Sequence, residues 1–543
     1  MSEEQRLKSL SHGEALSRIQ AIEQDRDLVL ANVDGLDLWP LIRLRLFSLY
    51  CFPHHHAAPD GSGQSVARLR KGTGGLLPRV VTRWGRETRK ANARAELARV
   101  VAPLADAEVL FFSRQKNYQD DYDGRAYDRY VDPLFEFVSK HHRTAKFCFE
   151  ARSMIGSPPD FHEAVRIPAG LKRRLVDRRD KVRGALGSIV AVLERTSAAH
   201  HKYVGSVIDL GVDFADAVVE VLLARDRFRL ILETVRPRLI CFPCYYAPLQ
   251  TALVAACNER GIATLDIQHG KQGPLNVNYN HWTAVPEQGF NTVPDFFWVW
   301  NQACADNIGF GHGEASRHLP VVGGNLLLSA WRRRPPFDYR RVRTDLWSRI
   351  DGARKSILFT LQPLGIERIA RSPIWTCLSA MPQDYFWIMK VHPNDPVSDG
   401  AWRDYIGAWT GGAGNFVVLR DSAVPLYGLL REVDLHITWF STTCFEALSF
   451  GHRSIVLGEE ARDLYAGEIR QGYFRHVSEH EDVAPVVRHS LELGRSADPI
   501  DCDASYRVDE QTALSALGEL RRAVDARGGG LGRTTKPAQC GRA

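Results

Sequence analysis

The chain has 543 residues, of which 44% are hydrophobic and 25% are charged, and its formal net charge is +6 at pH 7. This length exceeds what one hydrophobic core supports and predicts two or three domains, while the composition excludes a fibrous or disordered protein. The small net charge excludes a general binder of polyanions, so we expect no nucleic-acid partner.

Basic residues are concentrated in two stretches near the N-terminus, residues 68–94 and residues 172–183. Such clusters bind anionic lipid headgroups or nucleic acid, or they form a solvated helix face. Leucine and tryptophan side chains interleave with the first stretch, which favours an anionic membrane surface as a partner. We expect a helical, basic extension over residues 1–104.

Features that would mark export or metal binding are weak. There is no run of about 18 apolar residues, and Met1–Gln5 lacks the charged-then-apolar pattern of a signal sequence. The ten cysteines are scattered, as in a reducing compartment. Cys241 and Cys244 have the spacing of half a zinc site without a second pair nearby. We expect a cytoplasmic protein, with peripheral attachment to the inner membrane face left open, and no metal.

From residue 105 onward, short apolar segments alternate with helical stretches. Strands are predicted over residues 109–112, 146–149, 239–242, 263–267, 297–300 and 319–323, and then over 356–360, 385–389, 433–440 and 454–458. Strands separated by helices of about 10–15 residues predict parallel sheets built from βαβ units. We therefore predict an α/β fold with two Rossmann-like parallel-sheet domains facing a cleft. The predicted boundaries are 105–325 for an acceptor domain, 326–354 for a linker, 355–525 for a nucleotide-donor domain and 526–543 for a disordered tail.

Polar residues follow two predicted strands of the second unit. Lys390, His392 and Pro393 come after one strand, and Ser441-Thr442-Thr443 come after another. The carboxyl ends of parallel strands are where such folds bind nucleotides. An imidazolium can neutralise a phosphate leaving group, and the proline fixes the turn. The bland interpretation of His392 is a histidine that bonds a turn carbonyl.

Two further residues belong to this predicted donor edge. Glu446 could accept two ribose hydroxyls, but Thr443-x-x-Glu446 is also a capping box, which a helix uses for stability alone. Gln362 follows the first strand of the unit, where a turn would direct backbone N–H groups toward the same cleft.

The first unit supplies candidates for the acceptor side. Gln268-His269-Gly270 follows a strand, and Tyr245 and Tyr246 follow a neighbouring one. His269 is a candidate general base for an acceptor hydroxyl. Asp123, in the acidic loop 120–123, is the second candidate, because clustered carboxylates raise one another's pKa. The choice between them stays open.

Gln268-His269-Gly270, His392-Pro393, and Ser441-Thr442 with Glu446 and Gly451 lie within residues 105–470. With these motifs the chain resembles the bacterial surface- and capsular-polysaccharide transferases of the GT-B fold, a set that includes capsule-synthesis proteins, polysialyltransferases and CDP-glycerol glycerophosphotransferases. The resemblance implies transfer without a metal, with His392, Ser441 and Thr442 on the donor phosphates and Glu446 near the ribose. The acidic-acidic-Gly motif of the polysialyltransferases is matched only loosely, by Tyr122-Asp123-Gly124.

We therefore expect a glycosyltransferase of bacterial surface-polysaccharide synthesis that moves a sugar from a nucleotide-activated donor to a glycan or lipid-linked glycan. The nucleotide sugar is a substrate, and no cofactor is expected. The alternatives are a CDP-alditol phosphotransferase of the same fold, a UDP-sugar 2-epimerase, and a non-catalytic assembly protein.

Overall fold

The structure is a computed structural model. It describes residues 10–51, 95, 97–113, 118–122, 125–148, 178–189, 211–270, 272–273, 276–310, 317–333, 335, 338–370, 372–392, 395–412, 414–420, 424–500 and 510–527.

The N-terminal segment is a small helical layer that packs on the first unit. Its helices are His12–Ile22, Arg26–Val29 and Trp39–Cys51, with a two-stranded ribbon of β1 (Asn32–Val33) and β2 (Leu36–Asp37) between the last two. The first helix begins with a capping box formed by Ser11 and Glu14. Its apolar residues belong to the same core as one face of the first sheet, so this segment is part of the first unit's packing.

The first unit is built on a six-stranded parallel sheet. Its strands are β3 (Val109–Ser113), β6 (Thr144–Cys148), β7 (Leu239–Pro243), β8 (Ala263–Ile267), β9 (Phe296–Val299) and β10 (Leu319–Val322), in the order β10-β9-β8-β7-β3-β6. An antiparallel ribbon of β4 (Tyr118–Tyr122) and β5 (Arg125–Asp128) follows β3. The helices are Ala102–Leu104, Asp132–Ser139, 178–189, Gly211–Thr234, Pro248–Asn258 and Gln302–Asp306. Every residue of β3, β7, β8 and β9 is buried, as expected for strands covered on both faces.

The second unit repeats this architecture. Its strands are β11 (Lys355–Thr360), β12 (Tyr385–Lys390), β13 (Phe416–Leu419), β14 (Leu435–Thr438), β15 (Ile455–Leu457) and β16 (Arg475–Val477), all parallel, in the order β13-β12-β11-β14-β15-β16. The helices of the connecting segment and this unit are Leu326–Arg333, Tyr339–Arg341, Thr344–Gly352, Ile366–Ile369, Ile374–Ala380, Asp399–Trp409, Leu426–Glu432, Thr443–Leu448, Glu459–Leu464, Ala466–Arg470 and Val483–Leu493.

These two sheets confirm the predicted α/β, GT-B-like fold with two Rossmann-like parallel-sheet domains. The strand order reverses once in each sheet, between β3 and β7 in the first and between β11 and β14 in the second. Such switch points leave a crevice beyond the carboxyl ends of the strands. The predicted candidate residues follow strands at or beside both switch points.

Two features connect the units. Tyr127 and Trp300 of the first unit share an apolar cluster with Trp331 and Tyr427. The last helix, Glu510–Ala526, comes after the second unit in the chain but packs its apolar face against the first sheet. None of the helices in the described ranges is long and apolar enough to cross a bilayer.

Candidate functional site

The two predicted motifs on opposite sides of the cleft lie next to each other. A Cβ atom placed on Gly270 would lie 3.6 Å from the hydroxyl oxygen of Thr442. The loop after β8 therefore approaches the turn after β14 closely. The structure brings the predicted acceptor and donor motifs into one site.

At the centre of this site lies a residue that the sequence analysis missed. Arg129 follows β5, and its Nη2 donates a 2.6 Å hydrogen bond to the hydroxyl of Tyr130, whose ring also lies 4.6 Å from the guanidinium carbon. Burial alone would lower the pKa of Arg129, but the Tyr130 and Tyr427 hydroxyls and the Glu446 carboxylate outweigh it and raise that pKa. Arg129 comes from the first unit, whereas Glu446 and Tyr427 come from the second.

A buried polar network fixes the turn that carries this arginine. Asp128 accepts a 3.0 Å hydrogen bond from the backbone N–H of Tyr130 and another from the Ser113 hydroxyl. Asp132 accepts a 2.9 Å bond from the backbone N–H of Asp128 and forms an ion pair with buried Lys146. Burial raises the pKa of Asp132 to about 6, partly opposed by the charge of Lys146. The turn is therefore held by β3, β6 and the helix Asp132–Ser139 together.

His269 faces this arginine from the same unit. Its Nε2 lies 3.2 Å from the Tyr246 hydroxyl, and the edge of its ring contacts Tyr130 at a centroid distance of 5.9 Å. Burial, helped by the positive charge of Arg129 and opposed by the backbone of Ile267, lowers the pKa of His269 to about 4. The imidazole is neutral at pH 7, which is the protonation state that a base requires.

Two predicted acceptor residues are buried and make their hydrogen bonds within the first unit. Gln268 is 2% exposed, and its amide bonds the carbonyl of Gly270, the backbone N–H of Trp300 and the sulfur of Cys304. Tyr245 is also buried, and its hydroxyl donates to the carbonyl of Asn278. Gln268 and Tyr245 thus shape the loops behind the cleft, while Tyr246 and Gly270 lie at it.

On the second unit, several predicted donor residues hold one another. Gln362 accepts a 2.8 Å bond from the backbone N–H of Phe440 and so ties the end of β11 to the end of β14. The Ser441 hydroxyl donates to the hydroxyl of Thr443 at 3.0 Å and accepts from its N–H at 3.3 Å. The Lys390 ammonium donates to the carbonyl of Val424 at 3.1 Å. The Thr442 hydroxyl is the one that a Cβ on Gly270 of the first unit would contact.

The capping-box interpretation of Thr443 and Glu446 is wrong. The helix runs from Thr443 to Leu448 with Thr442 as N-cap, and no side chain caps it. Glu446 therefore falls one position beyond the residue that would complete a capping box. This helix has six residues, so its dipole adds little to the site.

Glu446 instead projects toward the cleft. Burial raises the pKa of its carboxyl to about 7, and the positive charge of Arg129 and the hydroxyl of Tyr427 act in the opposite direction. No ion pair within 4.0 Å joins Arg129 to Glu446 or to any other carboxylate of the described residues. The two groups face each other across the cleft without direct contact.

His392, at the end of β12 in the second unit, lies within the electrostatic field of the same arginine. Burial lowers its pKa, and Arg129 lowers it further, while Asp395 acts in the opposite direction. The carbonyl of His392 accepts bonds from Arg420 at 3.1 Å and from the N–H of Asp395 at 2.9 Å, which fixes the turn after β12. Pro393 and Asp123 lie outside the described residues.

Gly451, part of the motif set, has a structural reason for being glycine. Its φ is +84°, and a Cβ there would lie 2.1 Å from the carbonyl oxygen of Ser496. This position needs both positive φ and the missing side chain. The glycine permits the turn after the helix and does not touch the cleft.

The remaining sequence candidates concern metal binding and the two basic stretches. Within the part of the chain that the structure describes, no three His, Cys, Asp or Glu side chains form a metal-binding group. The basic stretch 68–94 lies outside the described residues. In the second stretch, Arg178 pairs with Asp226 at 2.7 Å and Arg179 with Asp216 at 2.6 Å, so these charges are partly neutralised within the chain.

No protein-family model matches the sequence, and no curated protein matches it. Among solved structures, the chain is similar to a UDP-N-acetylglucosamine 2-epimerase at 12% identity, covering 79% of this chain and 100% of that one with a TM-score of 0.46. It is similar to the UDP-GlcNAc 2-epimerase of Neisseria meningitidis bound to UDP-GlcNAc, at 12% identity, 76% and 99% coverage and a TM-score of 0.44. It is also similar to the α,α-trehalose 6-phosphate synthase of Burkholderia multivorans, at 10% identity, 78% and 97% coverage and a TM-score of 0.40.

Proposed function

We propose that the chain is a glycosyltransferase that moves a sugar from a nucleotide-activated donor to a hydroxyl of a glycan or lipid-linked glycan in bacterial surface-polysaccharide synthesis. The observation that carries this proposal is the convergence of the two strand-end motifs on one cleft. His269 lies beside Tyr130 and Tyr246 on one wall, and a Cβ placed on Gly270 would contact Thr442 on the other. One wall offers a base, and the other offers a hydroxyl.

The chemistry that fits this arrangement is a direct displacement at the anomeric carbon. The acceptor oxygen forms the new bond to that carbon as its proton passes to His269, and the bond from the carbon to the donor phosphate breaks. The electron pair leaves on the nucleotide phosphate, where hydrogen-bond donors stabilise it. We assign that role to a ring N–H of His392 and to the hydroxyl of Thr442. Glu446 is the candidate partner of the ribose hydroxyls.

Between the two candidate bases, the described geometry supports His269. Its imidazole is neutral at pH 7 and is held by a tyrosine on each side. Its low pKa of about 4 has two causes, burial and the charge of Arg129. A bound phosphate would offset the second cause and raise the pKa toward the range that suits proton transfer.

A donor-cleavage screen tests the proposal. The purified protein is incubated with CMP-, CDP-, UDP-, GDP- and dTDP-linked donors, and the released nucleotide is measured. We expect release from one donor class, reduced by about 10²–10⁴-fold in His269→Gln and strongly in His392→Gln. The matched control is His489→Gln, on an exposed position of the helix Val483–Leu493.

The identity of the products separates the other functions. Release of CMP from a CDP-alditol, with phosphate retained in the product, would replace the glycosyltransferase with the phosphotransferase. Interconversion of free UDP-sugars would replace it with the epimerase. Nucleotide binding without turnover of any donor in the presence of mixed glycan acceptors would indicate the non-catalytic protein.

A further inference from the structure

Arg129 is a cation without a direct counter-ion in the described part of the chain. Its Nε is buried and has no hydrogen-bond partner, and its one hydrogen bond goes to the neutral hydroxyl of Tyr130. Withdrawing a guanidinium from water without pairing it is costly. A protein that holds such a group rigidly gains most when an anion binds to it.

The surroundings of Arg129 favour an anion at this point. The arginine lowers the pKa of His269 in its own unit and of His392 in the other, so both histidines lie within its positive field. The hydroxyl of Thr442 is close to the same loop, beside Gly270. His392 and Thr442 of the second unit can therefore donate hydrogen bonds to an anion that Arg129 of the first unit holds.

The arginine is also held by a prepared scaffold. Asp128 bonds the backbone of the turn, and the buried pair of Asp132 and Lys146 secures Asp128 from below. A guanidinium held in this way pays little additional conformational entropy when it binds a ligand. Glu446 is the carboxylate that raises the pKa of Arg129, yet it forms no ion pair with the arginine.

We propose that Arg129 binds the phosphate groups of the nucleotide donor from the acceptor unit, so that the donor is held by residues of both units. This inference rests on the proposed function and adds to it a donor-binding residue from the other domain. Because the phosphate would bridge both units, donor binding would hold the cleft together. It would also screen Arg129 from His269, so that the base gains proton affinity when the donor is present.

The test separates the phosphate from the rest of the nucleotide. UDP, CDP, GDP and CMP are titrated into wild-type protein by calorimetry, together with uridine, cytidine, guanosine and inorganic pyrophosphate. For the nucleotide that binds, we expect Arg129→Met to weaken affinity by about 30- to 1000-fold and to change nucleoside affinity by less than about threefold. Arg129→Lys should lie between these values because an ammonium keeps the charge but loses the two-pronged geometry.

Arg354→Met is the matched control, since Arg354 lies at the amino end of β11 and pairs with Asp384 on the surface. It should leave nucleotide affinity unchanged. If wild type binds a nucleotide and Arg129→Met retains its full preference for nucleotide over nucleoside, the assignment of Arg129 is overturned. If wild type binds none of the nucleotides, the proposed function itself fails.

Discussion

Two arginine–glutamate pairs, one within the first unit and one across the cleft, differ in how fully their polar atoms are hydrogen-bonded. Arg43 and Glu23 are 1% and 0% exposed and are joined by a 2.7 Å bond between Nε and Oε1. Arg129 and Glu446 affect each other's pKa without a direct bond. The first pair forms one closed network, whereas the second leaves a buried Nε unpartnered.

The Arg43–Glu23 network connects the N-terminal helices to the loop that follows His269. The guanidinium donates to the carbonyls of Val277, Asn280 and His281 and lies 4.2 Å from the ring centre of Trp282. Glu23 accepts further bonds from the indole N–H of Trp39 at 3.0 Å and from the N–H and hydroxyl of Thr283 at 2.9 and 2.7 Å. The N-terminal segment therefore supports the acceptor wall.

The difference between the pairs shows how structural charges differ from charges kept for a ligand. Buried ions are tolerated when hydrogen bonds satisfy their remaining atoms, and the Arg43–Glu23 network does this. The pair across the cleft is not satisfied in this way, so water or a ligand must supply the missing hydrogen-bond partners. Mutations should therefore separate the two pairs by what they damage, folding in one case and binding in the other.

The largest effect is expected from Glu23→Ala. Because it leaves Arg43 charged and buried without its partner, we expect a loss of about 3–5 kcal/mol in the free energy of unfolding, measured by denaturant unfolding. Glu14→Ala, in the exposed capping box of the same segment, is the control and should cost about 1 kcal/mol or less. Equal losses in the two variants would contradict a structural role for the buried pair.

The sequence predicted the sheets well because most strands are buried on both faces. Apolar runs such as β7 and β8 are visible without any knowledge of their neighbours. Both edge strands of the second sheet, β13 and β16, were missed. β16 carries arginine and histidine and has no such run, whereas β13 has a four-residue apolar run that was not interpreted as a strand. The packing of Glu510–Ala526 on the first sheet was equally hidden, because an amphipathic pattern does not specify which sheet covers it.

Only those parts of the site that carry a recognisable sequence motif were predicted. His269, Gly270 and Thr442 are next to recognisable strand ends, and the structure brings them together. Arg129 lies in a turn with no recognisable motif. Its place in the site becomes visible only through residues of the second unit, such as Glu446, which are distant in sequence. A run of hydrogen-bonding residues around it, Asp128 and Asp132 in particular, was the available signal.

A smaller effect is expected from the pH dependence of Glu446. Its pKa rises from 4.5 unfolded to about 7 folded, so the folded state binds the proton more tightly. The resulting stability is fully present below pH 4.5 and is lost as pH rises through about 7. Between pH 5 and pH 8, wild type should lose roughly 2–3 kcal/mol relative to Glu446→Gln.

This difference is read from denaturant midpoints of both proteins across that pH range. The charged and titratable groups that act on Glu446 are Arg129 and Tyr427, and neither changes charge in this interval. Asp266, whose pKa burial raises to about 8, contributes in the same direction to both proteins and cancels. Parallel curves for wild type and Glu446→Gln would show that the carboxyl is solvated and that the cleft is wetter than its geometry indicates.

The smallest effect is expected from Arg129→Met, and it gives the sharpest form of the comparison. Methionine retains much of the arginine's apolar stem but removes a charge that has no carboxylate partner within 4.0 Å in the described residues. We expect the free energy of unfolding to change by less than about 1 kcal/mol in either direction. Arg43→Met, the same substitution in the closed network, should cost about 3–5 kcal/mol because Glu23 is then buried and unpaired.

If denaturant unfolding finds the two variants equally destabilised, Arg129 is a structural residue like Arg43, and a loss of nucleotide affinity in Arg129→Met would reflect a damaged fold. If only Arg43→Met is destabilised, any loss of affinity in Arg129→Met belongs to the guanidinium itself.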